Sequence, residues 1–211
     1  MTFSVLGDSI STFQGTSDVD FKVHYPAANS DVSTLSDMWW DIFAKKTGWE
    51  MVCNDSFSGA RITPTGKYPA WSSFVSDRRI SLLQGDAAIV FGGTNDLGML
   101  QYTIPYQLFH ATYQELIVKV RRQMPDAELY FCTPLRRLRE GFDQKNNEGW
   151  SQHQLQDTIR SLVKDARRKD EKIHLFDLAT IPVAGLLSDG LHPNRKGMVV
   201  IADFMVRHLG T

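Results

Sequence analysis

Two cysteines in 211 residues are too few for a disulfide framework. Cys53 and Cys132 therefore read as buried free thiols of a reducing compartment. An excess of charge of one sign is missing as well. The formal net charge is -1, which excludes a global bias toward nucleic acid or an anionic membrane. No apolar run approaches the roughly 20 residues of a membrane-spanning helix. The first residues, Met1 to Ser11, carry no basic stretch, and their apolar run is too short for a signal peptide. With Met1 as the natural start, the expectation is a cytoplasmic protein. Repeats, low-complexity tracts and linkers are absent too, and the length suits one domain over residues 1–211 with a packed core.

What is present is an alternation of strand-like and helix-like segments. Residues 2–6, 49–53, 86–91, 127–132 and 172–176 read as strands. The run Asp86-Ala87-Ala88-Ile89-Val90-Phe91 is nearly all apolar and ends at Gly92-Gly93, as a strand covered on both faces should. Residues 35–46 read as a helix, with Thr34 and Asp37 as a capping box and Gly48 as the stop. Residues 69–83 read as a helix ending at Gly85. Residues 105–124 form the clearest helix, with Phe109, Tyr113, Leu116, Ile117, Val120 and Met124 on one face and Pro125 as terminator. Residues 149–169 and 194–209 complete the set, the latter with Pro193 in the first turn. Alternation of this kind predicts an α/β fold, a parallel sheet with helices on both faces.

In such a sheet, ligands bind beyond the carboxyl ends of the strands. The chemically interesting residues fall there: Gly7-Asp8-Ser9 after the first strand, Asn54 to Gly59 after the second, Gly92 to Asp96 after the third. Ser188 to Pro193 precede the last helix. Acyl transfer needs a nucleophile, a base, a group to orient the base, and donors for an oxyanion. Ser9 at a sharp turn can present its hydroxyl and its own N–H. His192 is the candidate base, and Asp189, three residues earlier, can hold one ring nitrogen and leave the other for Ser9. Asn95 offers an uncharged amide donor. Gly59 offers an N–H with no side chain in the way. Singly, each is ordinary: a capping serine, a turn glycine, a turn asparagine, an aspartate at a helix start. Their convergence on one edge is what points to catalysis. The G-x-S-x-G elbow is absent.

Two segments are long and irregular, residues 12–34 and 135–148. The first carries Phe13, Phe21, Tyr25 and Pro26, which could line an apolar pocket, and Phe21 and Tyr25 are the candidate substrate-binding residues. Asp8 and Asp96 read as loop-fixing groups, and Trp39 and Trp40 as half core, half rim. Arg136, Arg137 and Arg139 read as a solvated basic patch. His24, His110, His153, His174 and His208 are set aside, because none has a carboxylate in a matching loop.

The sequence resembles the SGNH (GDSL) hydrolase family across nearly its whole length. The matching blocks are Gly7-Asp8-Ser9-Ile10, Gly59 within Asn54-Asp55-Ser56-Phe57-Ser58-Gly59-Ala60, Gly93-Thr94-Asn95-Asp96, and Asp189-Gly190-Leu191-His192-Pro193. The resemblance implies a three-layer α/β/α, flavodoxin-like fold whose five-stranded parallel sheet runs 2-1-3-4-5. It implies a Ser9, His192, Asp189 triad and an oxyanion hole from the Ser9 and Gly59 N–H groups and the Asn95 amide. It also implies hydrolysis of small or medium acyl esters, such as O-acetyl groups on carbohydrates, without metal or other cofactor. The acyl group could sit on a sugar, an alcohol or a thiol carrier, and all three stay open. The expected partner is a small-molecule acyl ester, with no nucleic acid and no membrane.

Two other readings compete. A flavodoxin-like phosphate- or nucleotide-binding protein would cradle a phosphate with Ser9, Ser11 and Thr12, but it leaves Asp189 and His192 idle. A family member that binds acylated sugars without turnover would have no use for an intact triad.

Overall fold

A computed structural model describes residues 1–16, 23–98, 103–138 and 144–210. The strands are β1 (Thr2–Gly7), β2 (Glu50–Ser56), β3 (Ala87–Phe91), β4 (Glu128–Cys132) and β5 (Ile173–Phe176). The α-helices are α1 (Trp39–Thr47), α2 (Pro69–Ser72), α3 (Asp77–Ser81), α4 (Tyr106–Gln123), α5 (Gln152–Arg167) and α6 (Arg195–Arg207). All the pairings are parallel, and the sheet runs β2-β1-β3-β4-β5. The order reverses between β1 and β3, and a sheet of this kind binds its ligands at the carboxyl ends of those two strands.

Two apolar layers sandwich the sheet. Ala88, Val90, Leu129 and Phe131 face Phe74, Phe109, Leu116, Leu155 and Ile159. Ala87, Ile89, Phe91 and Tyr130 face Trp39, Phe43, Met198, Ile201 and Met205. β3 and β4 thus serve both layers by their two-residue period, which is why β3 reads as an unbroken apolar run. No helix among the described residues is long and apolar enough to cross a membrane.

Five details depart from the sequence reading. The helix expected over 35–46 is broken at Met38, which is extended (φ -77°, ψ 140°) and buried. The Thr34–Asp37 capping box forms, but it closes a separate 3₁₀ turn, Leu35–Asp37. The helix expected over 69–83 is two short pieces. Ser73 between them is extended because its hydroxyl donates to Ile62 O at 3.0 Å and the next N–H, of Phe74, donates to Arg61 O at 2.9 Å. Those bonds draw the chain toward the loop after β2 and sink Phe74 into the core. Trp39 and Trp40 are both buried, with nothing at the rim. Pro193 lies two residues before the start of α6, because Asn194 is the cap and accepts from Gly197 N at 2.9 Å. Neither thiol is in a disulfide; Cys132 is buried as expected, whereas Cys53, on the edge strand β2, is half-buried.

Candidate active site

β1 ends at Gly7, and the chain turns at once into a 3₁₀ turn, Ser9–Ser11. Asp8 caps this turn by accepting from Ile10 N at 3.0 Å. Gly7 must be glycine for want of space: a side-chain carbon there would collide with Ser56 Oγ and lie 2.7 Å from Ser11 Cβ. The turn is fastened from outside by the adjacent tryptophans. Trp39 Nε1 donates to Ser11 Oγ at 3.1 Å and Trp40 Nε1 to Ser11 O at 3.0 Å. Asn54 of β2 also donates to Ser11 O, at 3.1 Å. Ser9 is therefore held on a rigid corner, its side chain nearly buried.

The loop before α6 folds on Asp189. One carboxylate oxygen accepts from the N–H groups of Leu191 at 3.0 Å and His192 at 2.8 Å. The other lies 2.9 Å from His192 Nδ1. Burial alone would raise the Asp189 pKa. The His192 and Leu191 donors outweigh it and hold the carboxyl well below the ordinary carboxylate range. An ionised Asp189 is a pure acceptor, so Nδ1 carries the hydrogen and Nε2 of a neutral ring is left with its lone pair. His192 Nε2 lies 2.9 Å from Ser9 Oγ. Three side chains from two ends of the chain thus form one hydrogen-bonded line.

Gly59 adopts the left-handed conformation (φ +79°), which excludes other residues at little cost, and the space beside it is open. Asn95 Nδ2 donates to Ala60 O at 2.8 Å. An amide has two such hydrogens, so that bond ties the loops after β2 and β3 together and leaves one donor over. Asp96 fixes the same junction by accepting from Ile62 N at 2.7 Å, Thr63 N at 2.9 Å and Thr63 Oγ1 at 2.8 Å. Its burial pushes the carboxyl up to about 6, against those donors.

The remaining sequence candidates fall as follows. Phe21 and Arg139 lie outside the described residues. Tyr25 is fully buried, its hydroxyl donating to Pro193 O at 2.7 Å. Arg136 is exposed, but Arg137 is no part of a solvated patch. It is buried and donates to Thr94 O at 3.2 Å and Gly98 O at 2.8 Å, bracing the loop that carries Asn95.

Two residues escaped the sequence reading. His24 stacks on His192, ring centroids 3.6 Å apart; in the sequence it has no carboxylate in a matching loop to mark it. Arg79 is fully buried and donates to Gly7 O, Ser72 O and both the carbonyl and carboxylate of Asp55. In the sequence, Asp77-Arg78-Arg79 looks like any solvated helix turn.

A family model described as GDSL-like Lipase/Acylhydrolase matches residues 1–209. Comparison with curated proteins gives no match. Among solved structures, a GDSL-like lipase candidate from Bacteroides ovatus is 26% identical, with a TM-score of 0.71 over 98% of this chain and 96% of the other. A counterpart from Bacteroides uniformis is 24% identical, with a TM-score of 0.72 over 99% and 94%. A family two carbohydrate esterase from Clostridium thermocellum, solved with cellohexaose, is 16% identical with a TM-score of 0.67, over 99% of this chain and 63% of its own; that likeness is one of fold.

Proposed function

The chain belongs to the GDSL-like lipase/acylhydrolase family, and from that premise we propose that it is a serine esterase cleaving small or medium acyl esters. The family and the esterase neighbours support an ester-cleaving hydrolase. The observation that carries the finer reading is the line Asp189 Oδ2 to His192 Nδ1 and His192 Nε2 to Ser9 Oγ, 2.9 Å at each step.

In this reading Ser9 Oγ bonds to the acyl carbon while its proton passes to His192 Nε2. The carbonyl electron pair moves onto oxygen, where the N–H groups of Ser9 and Gly59 and the free hydrogen of the Asn95 amide receive it. Asp189, ionised throughout, steadies the imidazolium. The tetrahedral centre collapses, and the leaving alcohol takes the proton from Nε2. Water then repeats the sequence on the acyl-enzyme, releasing the acid and restoring Ser9.

The phosphate-binding reading loses support from the same loop. The Ser9 hydroxyl lies against His192, Ser11 Oγ accepts from Trp39, and Thr12 Oγ1 donates to Ser9 O at 2.9 Å. Those hydroxyls already have protein partners. An O-acetyl group on a carbohydrate is the substrate class we favour, as the resemblance of the motif blocks to the SGNH (GDSL) hydrolase family implies; the carbohydrate esterase from Clostridium thermocellum shares the fold alone.

The test is covalent labelling with a fluorophosphonate, followed by an ester panel of increasing acyl length that includes acetylated sugars. Intact mass should rise by one adduct on Ser9, and Ser9→Ala should neither label nor turn over. Labelling that persists in Ser9→Ala puts the nucleophile elsewhere.

A further inference from the structure

The ring of His24 lies flat on the ring of His192, centroids 3.6 Å apart and planes within 14°. This placement is built from several directions. The His24 N–H donates to Thr12 Oγ1 at 2.8 Å, and that hydroxyl donates to Ser9 O at 2.9 Å. Tyr25, the next residue, stands edge-on to His24 at 4.6 Å and to His192 at 6.4 Å. Its hydroxyl reaches past them to Pro193 O, the residue after His192. The segment therefore grips the turn of Ser9 at one end and the loop of His192 at the other.

His192 is bonded at two points on its edge, Nδ1 to Asp189 and Nε2 to Ser9. Two edge bonds leave one motion free, a tilt of the ring about the line that joins them. A flat ring against the face blocks that tilt and still allows the in-plane shift by which Nε2–H turns from Ser9 Oγ toward a leaving alcohol. The face of an aromatic ring is also its electron-rich side. The electron-rich ring face of His24 therefore lies against His192 where positive charge appears when Nε2 takes the Ser9 proton. Both effects grow toward the transition state and add little to substrate binding.

We propose that His24 is a positioning residue of the reaction: its ring braces the face of His192 and keeps the base in the plane that joins Asp189 to Ser9. The proposal rests on reading Ser9, His192 and Asp189 as the triad.

The experiment compares His24→Ala, His24→Phe and His192→Ala with the wild type, using p-nitrophenyl acetate for kcat and KM. The downfield proton resonance of His192 Nδ1–H provides a readout without turnover. His24→Ala should lower kcat roughly ten-fold, a fraction of the roughly 10²–10⁴ that a general base supplies, with KM nearly unchanged. His24→Phe restores a flat face and should recover most of that loss. The Nδ1–H resonance should broaden or vanish in His24→Ala and return in His24→Phe. Wild-type kcat and an intact resonance in His24→Ala, beside an inactive His192→Ala, would remove His24 from the machinery and leave the triad standing. Equal losses in both His24 variants with the resonance intact would also overturn the proposal. An active His192→Ala would instead bring down the triad reading itself.

Discussion

Arg79 Nη2 donates to the Gly7 carbonyl at 2.9 Å, so a fully buried cation holds the end of β1 two residues before Ser9. The same guanidinium bonds Asp55 at the end of β2 and the carbonyl of Ser72 at the end of α2, and it lies 4.8 Å over the Phe74 ring. Burial pulls its pKa down, and the Asp55 carboxylate opposes that pull. The pair thus sits in a dry environment where each charge depends on the other. Arg79→Ala leaves Asp55 and three carbonyls short of a donor, and should cost roughly 3–5 kcal/mol in urea unfolding. Arg79→Lys should recover only part, since one ammonium cannot span the fork. A loss below about 1 kcal/mol in Arg79→Ala would mean that water replaces the guanidinium and the cation is dispensable.

Asp8 gives the stability a distinctive pH dependence. One of its oxygens caps Ile10 and the other is buried without a protein partner. Burial pushes the carboxyl up to about 7, with the Ile10 N–H and Arg79 pulling down and Asp96 pushing up. A carboxyl whose folded pKa exceeds its unfolded value binds more protons in the folded state. Its contribution is therefore favourable at low pH and is lost as pH rises through the folded value. Asp8, with Asp96 pushed up to about 6, should make stability fall between about pH 4 and 7. Asp8→Asn should flatten that slope. Urea midpoints measured across the range decide it, and an unchanged slope in Asp8→Asn would place the titration elsewhere.

How far these features could be read from the sequence depends on the range over which each is determined. β3 and α4 are legible because their patterns are local: an apolar pentapeptide between turns, and a 3.6-residue stripe. Asp189 and His192 are legible as a pair because three residues separate them in one loop. Arg79 is not. Its partners Gly7, Asp55 and Ser72 meet only once β1 and β2 pair and the segment after β2 folds over their ends. The break at Ser73 is hidden for a similar reason, since the acceptor that captures its hydroxyl, Ile62 O, belongs to another loop. His24 carries no mark at all in its own segment; its meaning comes from a ring 168 positions away.

Tyr25 is expected to act on the His192 loop through its hydroxyl. The phenol is 0% exposed, donates to Pro193 O at 2.7 Å, and burial raises its pKa far above the usual tyrosine range. Tyr25→Phe keeps the ring and strands the carbonyl, at a cost of roughly 1–3 kcal/mol. Thermal melting should show the loss, while the preference among acyl lengths stays the same. A changed acyl preference with unchanged melting would make Tyr25 part of the substrate pocket instead.

Asn95 tests whether the oxyanion is received as proposed. Negative charge reaches the acyl oxygen only as the tetrahedral centre forms. A donor aimed there lowers the barrier without much tightening the bound substrate. Asn95→Ala should lower kcat by roughly 10²–10³, with KM nearly unchanged. The bond from Asn95 Nδ2 to Ala60 O adds a second consequence, because it positions the residue that follows Gly59. Loss of the amide therefore loosens a second donor as well, which places the expected effect at the upper end of that range. Asn95→Asp should be at least as damaging. It sets a carboxylate against the Ala60 carbonyl and places negative charge where negative charge is developing. Fluorophosphonate labelling separates catalysis from folding, since a folded Asn95→Ala should still label at Ser9, only more slowly. If Asn95 merely held its turn, both variants would melt early and shift KM together with kcat. A well-folded Asn95→Ala with wild-type kcat would remove the amide from the oxyanion hole and leave the Ser9 and Gly59 N–H groups to stabilise the charge alone.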